Sequence, residues 1–334
     1  MCQRTDFRSP RYHYFHGTLQ RELFRNNTVT VSYVGSRGDG LIWIRDINSP
    51  PLGAPLTNVE QQRPFRAQFP TLRRIYELTN DSKSWYDSVQ FSYRQMNWHG
   101  LNTQYNYTLS DCKDYNSGNR DTAGSQANSP YDPSNNKGPC NFDVRHNFNV
   151  GGSYTVPGGE RLGGGVLQIG VVFTALSGRP FTPGIGTFDR SGQNTTGWLR
   201  ADCLAEPVYN WDLDYLFPDA TTTRSAITNA AAAFATPADG RLGTCGRNSA
   251  RRAGLSQFDM NILKEFGLPG GARLQARWEI FNLFNRVNLG ALQSTSVRSA
   301  LFGTMATTPD VDRGNPVIAQ GGPRAMQWAV KVLF

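Results

Sequence analysis

The sequence holds no run of about eighteen apolar residues, so no transmembrane helix can be drawn through it. That absence does not reach strands, because every second residue of a barrel strand faces a lumen. The first residues, Met-Cys-Gln-Arg-Thr-Asp-Phe-Arg, lack the apolar segment of a secretory signal. An exported protein needs one, so the chain is expected to begin inside a longer protein. Charge is also sparse: Asp, Glu, Lys and Arg make up 18% of the 334 residues, below the usual quarter. The net charge of +8 is scattered without a stripe or cluster, which argues against a nucleic-acid partner. Only four histidines occur, His13, His16, His99 and His146, and none stands with a Ser or Cys in a nucleophile motif. His13 and His16 lack a carboxylate nearby to complete a metal site. Neither an enzyme nor a resident cofactor or metal is expected.

What is abundant is Gly, with 34 residues, and aromatic side chains, at 12%. The mean hydropathy of −0.48 then comes from Asn, Gln, Ser, Thr and Gly rather than from charge, a mixture suited to a polar lumen and long loops.

Alternation of period two recurs along the chain. The last stretch, 327–334, places Trp328, Val330, Val332 and Phe334 on one face, with Gln327, Ala329 and Lys331 opposite. Residues 12–24 and 28–33 predict a first hairpin around Arg25-Asn26-Asn27. In the second, Trp85, Val89, Phe91 and Tyr93 share a face that continues after the turn Asn97-Trp98-His99-Gly100 as Leu101, Thr103, Tyr105, Tyr107 and Leu109. Trp85 and Tyr86 at one end and Trp98 at the other predict two girdles of amphipathic rings. A third hairpin is predicted over 142–156 and 163–176, with a short turn Pro157-Gly158-Gly159-Glu160, and a fourth over 257–266 and 272–281. In the fourth, Leu274, Ala276, Trp278 and Ile280 oppose Arg273, Gln275, Arg277 and Glu279. That charged row fits a wet lumen, so Arg273, Arg277 and Glu279 are candidate lumen-lining residues, able to pair across neighbouring strands.

Between hairpins lie long polar stretches. Residues 35–83 read as a loop with short strand extensions at 41–47 and 74–78, and the Arg37-Gly38-Asp39 tripeptide within it reads as a Gly-rich turn rather than an adhesion motif. Residues 111–141 form the next loop, where Asp111, Asp114, Asp121 and Asp132 do not match calcium-loop spacing. Residues 177–256 form the longest, with a turn Asn194-Thr195-Thr196-Gly197 and one short helix over 230–233. Short turns all fall on one side and long loops on the other, with the C-terminus among the short turns.

Five cysteines are present. Cys112 and Cys140 bracket one polar loop, and Cys203 and Cys245 lie within another, so two loop-closing disulfides explain them better than a metal site. Connectivity is left open by sequence, and Cys2 is left over. Disulfides imply an oxidising compartment.

Four segments carry a family resemblance: Phe142-Asp143-Val144-Arg145-His146-Asn147-Phe148, Ser177-Gly178-Arg179-Pro180-Phe181, Glu279-Ile280-Phe281-Asn282-Leu283-Phe284-Asn285, and the terminal strand ending at Phe334. Together they resemble the C-terminal barrel half of TonB-dependent outer-membrane receptors, in particular the Oar-like group, whose full-length members also carry a carboxypeptidase-regulatory-like domain. The resemblance implies an energised importer in which a plug blocks a barrel of about twenty-two strands. The expected architecture is therefore an all-β antiparallel transmembrane barrel, with residues 1–334 supplying a C-terminal part of about nine to twelve strands and long extracellular loops. Implied partners are outer-membrane lipid, the barrel-assembly machinery recognising Trp328, Val330, Val332 and Phe334, the TonB complex through an N-terminal region missing here, and a ligand of unknown identity. No signal peptide, TonB box or plug is present in the sequence. Two alternatives stand beside this one. A self-contained small outer-membrane barrel, porin or autotransporter translocator, would need an even strand count. A soluble adhesive sandwich would dissolve without detergent.

Overall fold

The computed structural model describes residues 2–118, 128–187, 189–193, 199–212, 216, 225–311 and 321–334. Nine long strands carry the fold: β1 (Arg11–Phe24), β2 (Asn27–Asp46), β3 (Tyr76–Trp98), β4 (Leu101–Asp114), β5 (His146–Thr155), β6 (Leu167–Leu176), β7 (Leu255–Gly267), β8 (Arg273–Phe281) and β9 (Ala325–Leu333). Each pairs antiparallel with its neighbours in sequence, from β1 to β9, and two short segments, Cys2–Gln3 and Gly138–Pro139, join the same sheet. Among the described residues β1 and β9 do not pair with each other, so the curved sheet stays open.

Register turns the sequence alternation into two chemically opposite surfaces. One row across the sheet reads Val29, Tyr93, Tyr105, Val150, Phe173, Phe258. The row beside it reads Thr30, Ser92, Asn106, Asn149, Thr174, Gln257. A slip of one residue in any strand would exchange the two, so burial of either surface pins the register. The polar row bonds across strands, Ser92 Oγ donating to Asn106 Oδ1 at 2.9 Å and Thr174 Oγ1 to Asn149 Oδ1 at 3.1 Å. Rings of Phe148, Phe173 and Phe258 pack in sequence on the apolar side, centroids 6.1 and 6.5 Å apart.

Several sequence expectations are corrected. The loop within 35–83 is shorter than expected, confined to 47–75: β2 continues unbroken to Asp46 and β3 begins at Tyr76. Arg37-Gly38-Asp39 is accordingly no turn but part of β2, with Arg37 paired to His13 on one side and Trp85 on the other. The alternation blurs there because the register shifts between Gly38 and Trp43, and Gly40 takes a left-handed φ of 64°. The third hairpin is shorter than expected. β5 starts at His146 because Asp143 is drawn off the strand line, its carboxylate accepting from Cys112 N at 3.2 Å and Arg251 Nη2 at 2.6 Å. Its turn is a longer link over 156–166, where Gly163, Gly164 and Gly165 all have positive φ and cannot extend a strand. Tyr86 does not join a girdle with Trp85. Adjacent strand residues face opposite ways, and Tyr86 pairs with Ser36 and Cys112 on the polar surface. The terminal strand ends at Leu333, so Phe334 lies one residue beyond it.

The helix at Ala230–Ala233 is present. The Asn194-Thr195-Thr196-Gly197 turn lies outside the described residues. The stretch around that helix is not the simple surface loop the sequence suggested, because Phe181, Ile185, Leu199, Ile227, Phe234 and Phe302 bury one another there. Phe234 and Phe302 meet edge to face at 5.5 Å. The chain's main apolar core thus sits among the loops, while the apolar surface of the sheet, with Val31, Val89 and Phe91 on it, stays exposed.

Candidate ligand site at the long-loop end

At the end of the sheet that carries the long loops, the polar surface meets the loop cap. Two disulfides fasten the cap: Cys112–Cys140 ties the end of β4 to the strand-like turn at Gly138, and Cys203–Cys245 joins two loop segments with Cα atoms 4.8 Å apart. Cys2 is free and exposed.

Between the disulfides lies a buried polar knot centred on Arg247. Its guanidinium pairs with the Asp114 carboxylate, donates to the carbonyls of Asn136 at 2.9 Å and Gly138 at 3.2 Å, and reaches Asn141 Oδ1 at 3.2 Å. Both charged side chains are almost wholly buried, at 3% and 4% exposure. A buried ion is tolerable only when paired and fully hydrogen-bonded, and here both conditions hold. Arg200 lies deep in the same cap, donating to Asn135 O at 2.9 Å and to Asn136 Oδ1. Burial, followed by the positive charge of Arg247, pushes the Arg200 guanidinium down to about 10, so it stays protonated at neutral pH.

Beside this knot the polar surface borders a half-open cavity of about 600 Å³, within the range of small-molecule sites. Tyr12, Ser36, Ser84 and Tyr86 line it from β1, β2 and β3, joined by Asn116 and Phe142 from the cap. Register explains the grouping, since Tyr12, Gly38, Ser84 and Asp114 form one row across four strands. Gly38 lies between two of these lining side chains: a Cβ there would come within 2.4 Å of Ser84 Oγ and 3.0 Å of the Tyr12 ring, so a larger residue would displace them.

The sequence points to the long loops, 111–141 and 177–256, as the candidate recognition surface, and Asp114, Asn116 and Ser117 of the first line this cavity; the strand wall of Tyr12, Ser36, Ser84 and Tyr86 carries no such signal. The candidate lumen-lining residues lie along β8, from Arg273 beside the short turn to Glu279, two residues before the far end of the strand at Phe281. There Arg273 is 3.5 Å from Glu265 across the strand pair, Arg277 is 3.4 Å from Glu279 on its own strand, and Gln327 donates to Glu279. All share the sheet face opposite to Trp278, which stacks on Trp328 at 4.8 Å. Trp328 and Val330 are 73% and 70% exposed on β9. Of the loop acids, Asp111 pairs with Lys113, Asp114 with Arg247, and Asp132 caps the short helix at Pro133–Asn136, while Asp121 lies outside the described residues. Among the described residues, no group of three or more His, Cys, Asp or Glu is placed to hold a metal. His146 stacks beside Tyr107, with Nδ1 and the Tyr hydroxyl 2.8 Å apart.

An antiparallel meander with one apolar and one polar surface, short turns at one end and a cap with a polar cavity beside it at the other is the architecture of a membrane β-barrel. The chain belongs to the outer membrane beta barrel domain family, whose pattern it matches over residues 2–327. It is an outer-membrane protein. No curated protein matches it. Among solved structures it is similar to the outer membrane transporter YddB from Escherichia coli, at 13% identity and a TM-score of 0.49, covering 99% of this chain and 33% of that one. It is also similar to BauA, the ferric preacinetobactin receptor from Acinetobacter baumannii, at 10% identity and a TM-score of 0.44, covering 96% and 29%. The chain spans about a third of the length of these structures.

Proposed function

We propose that the chain is the C-terminal barrel portion of a TonB-dependent, Oar-like outer-membrane receptor, which binds a ligand at the long-loop end and admits it when the full-length protein is energised. One observation carries the reading. The long loops are built into a disulfide-fastened cap with its own core, set beside a cavity on the polar surface. A general pore needs only an open lumen, whereas a cap of this construction holds binding groups in fixed positions. In this reading the long loops are extracellular and the short turns periplasmic. Arg273, Arg277 and Glu279 line the lumen, chiefly as pairs that neutralise one another. The strand bearing Trp328, Val330 and Val332, with Phe334 after it, is offered to the barrel-assembly machinery. The TonB complex acts through a region outside these residues, and catalysis plays no part.

The unpaired edges of β1 and β9 also favour a larger barrel over a self-contained small one. An antibody against the Phe334 end, used on native outer membrane, tests this directly. The receptor reading expects a band far above the 37.1 kDa of this chain. A band near that mass overturns it in favour of a small barrel.

A further inference from the structure

We infer that the cavity beside the cap takes a neutral, polyhydroxylated ligand, an oligosaccharide of one to three residues, stacked against its tyrosines and hydrogen-bonded by its hydroxyl groups. The inference rests on the receptor reading and assigns its ligand class.

Three features of the cavity point the same way. The first is charge. No Lys or Arg is among the lining residues, and the one carboxylate, Asp114, is neutralised by Arg247. An anionic ligand, or a metal chelate of net negative charge, would find no cation in that lining, the neighbouring Lys137 ammonium being held over the Trp85 ring at 4.4 Å, and desolvating it there would be costly. The second is the kind of polar group on offer. Ser36, Ser82, Ser84, Tyr12 and Tyr86 bring hydroxyls, and Asn116 brings an amide. Hydroxyls both donate and accept, which matches the hydroxyl groups of a sugar. Ser82 is 1% exposed, and its Oγ has no hydrogen-bond partner. A buried hydroxyl at a cavity wall without a partner is a bond left for something that enters. The third is the aromatic surface. Tyr12, Tyr86 and Phe142 all line the space, and Tyr12 and Phe142 are more than half exposed. Flat rings suit the C–H faces of a pyranose, so one wall takes the apolar face while the hydroxyls take the edge. The volume of about 600 Å³ limits the ligand to a short saccharide or the end of a longer one.

The test uses the protein extracted from outer membrane in mild detergent, fluorescently labelled at Cys2 and applied to an array of neutral, sulfated and sialylated glycans. Neutral glycans should be retained and their sulfated counterparts should not. Tyr12→Ala and Tyr86→Ala should each weaken retention about tenfold or more, whereas Trp98→Phe, at the opposite end of the sheet, should leave it unchanged. Tyr12→Phe separates ring from hydroxyl without disturbing the fold and should cost less than Tyr12→Ala. Circular dichroism confirms that each variant keeps its sheet. Retention of no neutral glycan, equal or better retention of anionic ones, or indifference to both alanine substitutions overturns the inference. The array is read without uptake. Failure on the array with TonB-dependent import of another solute therefore rejects only the saccharide, and success on the array with TonB-independent entry rejects only the receptor reading.

Discussion

Arg247 holds the cap together, because its five donors are spent on groups from two separate stretches of chain, 114–117 and 136–141. Removing one partner of a buried ion pair strands the other charge, at a cost of about 3–5 kcal/mol. Arg247→Met should therefore open the cap to protease at much lower enzyme concentration, and Asp114→Asn should do nearly the same. The double substitution should cost less than the sum of the two, because no stranded charge remains. Limited proteolysis of the three variants measures this. Ion pairs along β8 are another matter. Arg277 and Glu279 are partly exposed neighbours on one strand, and Arg277→Ala should leave the digestion pattern unchanged. Nothing in the sequence marked Arg247, since its partner Asp114 lies 133 positions away and each looks like an ordinary loop charge. Contacts of that span leave no local period to read.

At the scale of the element, the strands were legible and their limits were not. Period two survives wherever one surface is apolar and the other polar, which is why β4, β7 and β8 could be placed closely from residues alone. It fails where a bulge shifts the phase, as between Gly38 and Trp43, and where a side chain is recruited by tertiary contacts, as at Asp143. The two surfaces make opposite predictions for neighbouring residues. Phe91 stands on the apolar surface, and Phe91→Arg in the full-length protein should cost about 2–4 kcal/mol in lipid, visible as loss of the folded form in vesicles. Ser92, one residue on, stands in the polar row, and Ser92→Arg should fold normally under the same conditions.

At the scale of the whole molecule, the two free edges decide behaviour. Every residue of β1 is exposed, and β9 is exposed along nearly all its length. Unpaired backbone groups in hydrocarbon cost several kcal/mol each, so this chain alone should give no steady conductance steps in a planar bilayer and no heat-modifiable band on a gel. Discrete, lasting steps would mean that the sheet closes by itself. The cap completes the picture at this scale. It is assembled from stretches scattered between Cys112 and Phe302 and is pinned by two disulfides. In immunological terms its surface is a composite epitope. Reduced and unfolded chain does not display it, and peptides cut from any single loop reproduce only a fragment of it. Sera raised against such peptides would therefore report on denatured protein, and antibodies that recognise intact cells would have to be raised against the oxidised, folded cap.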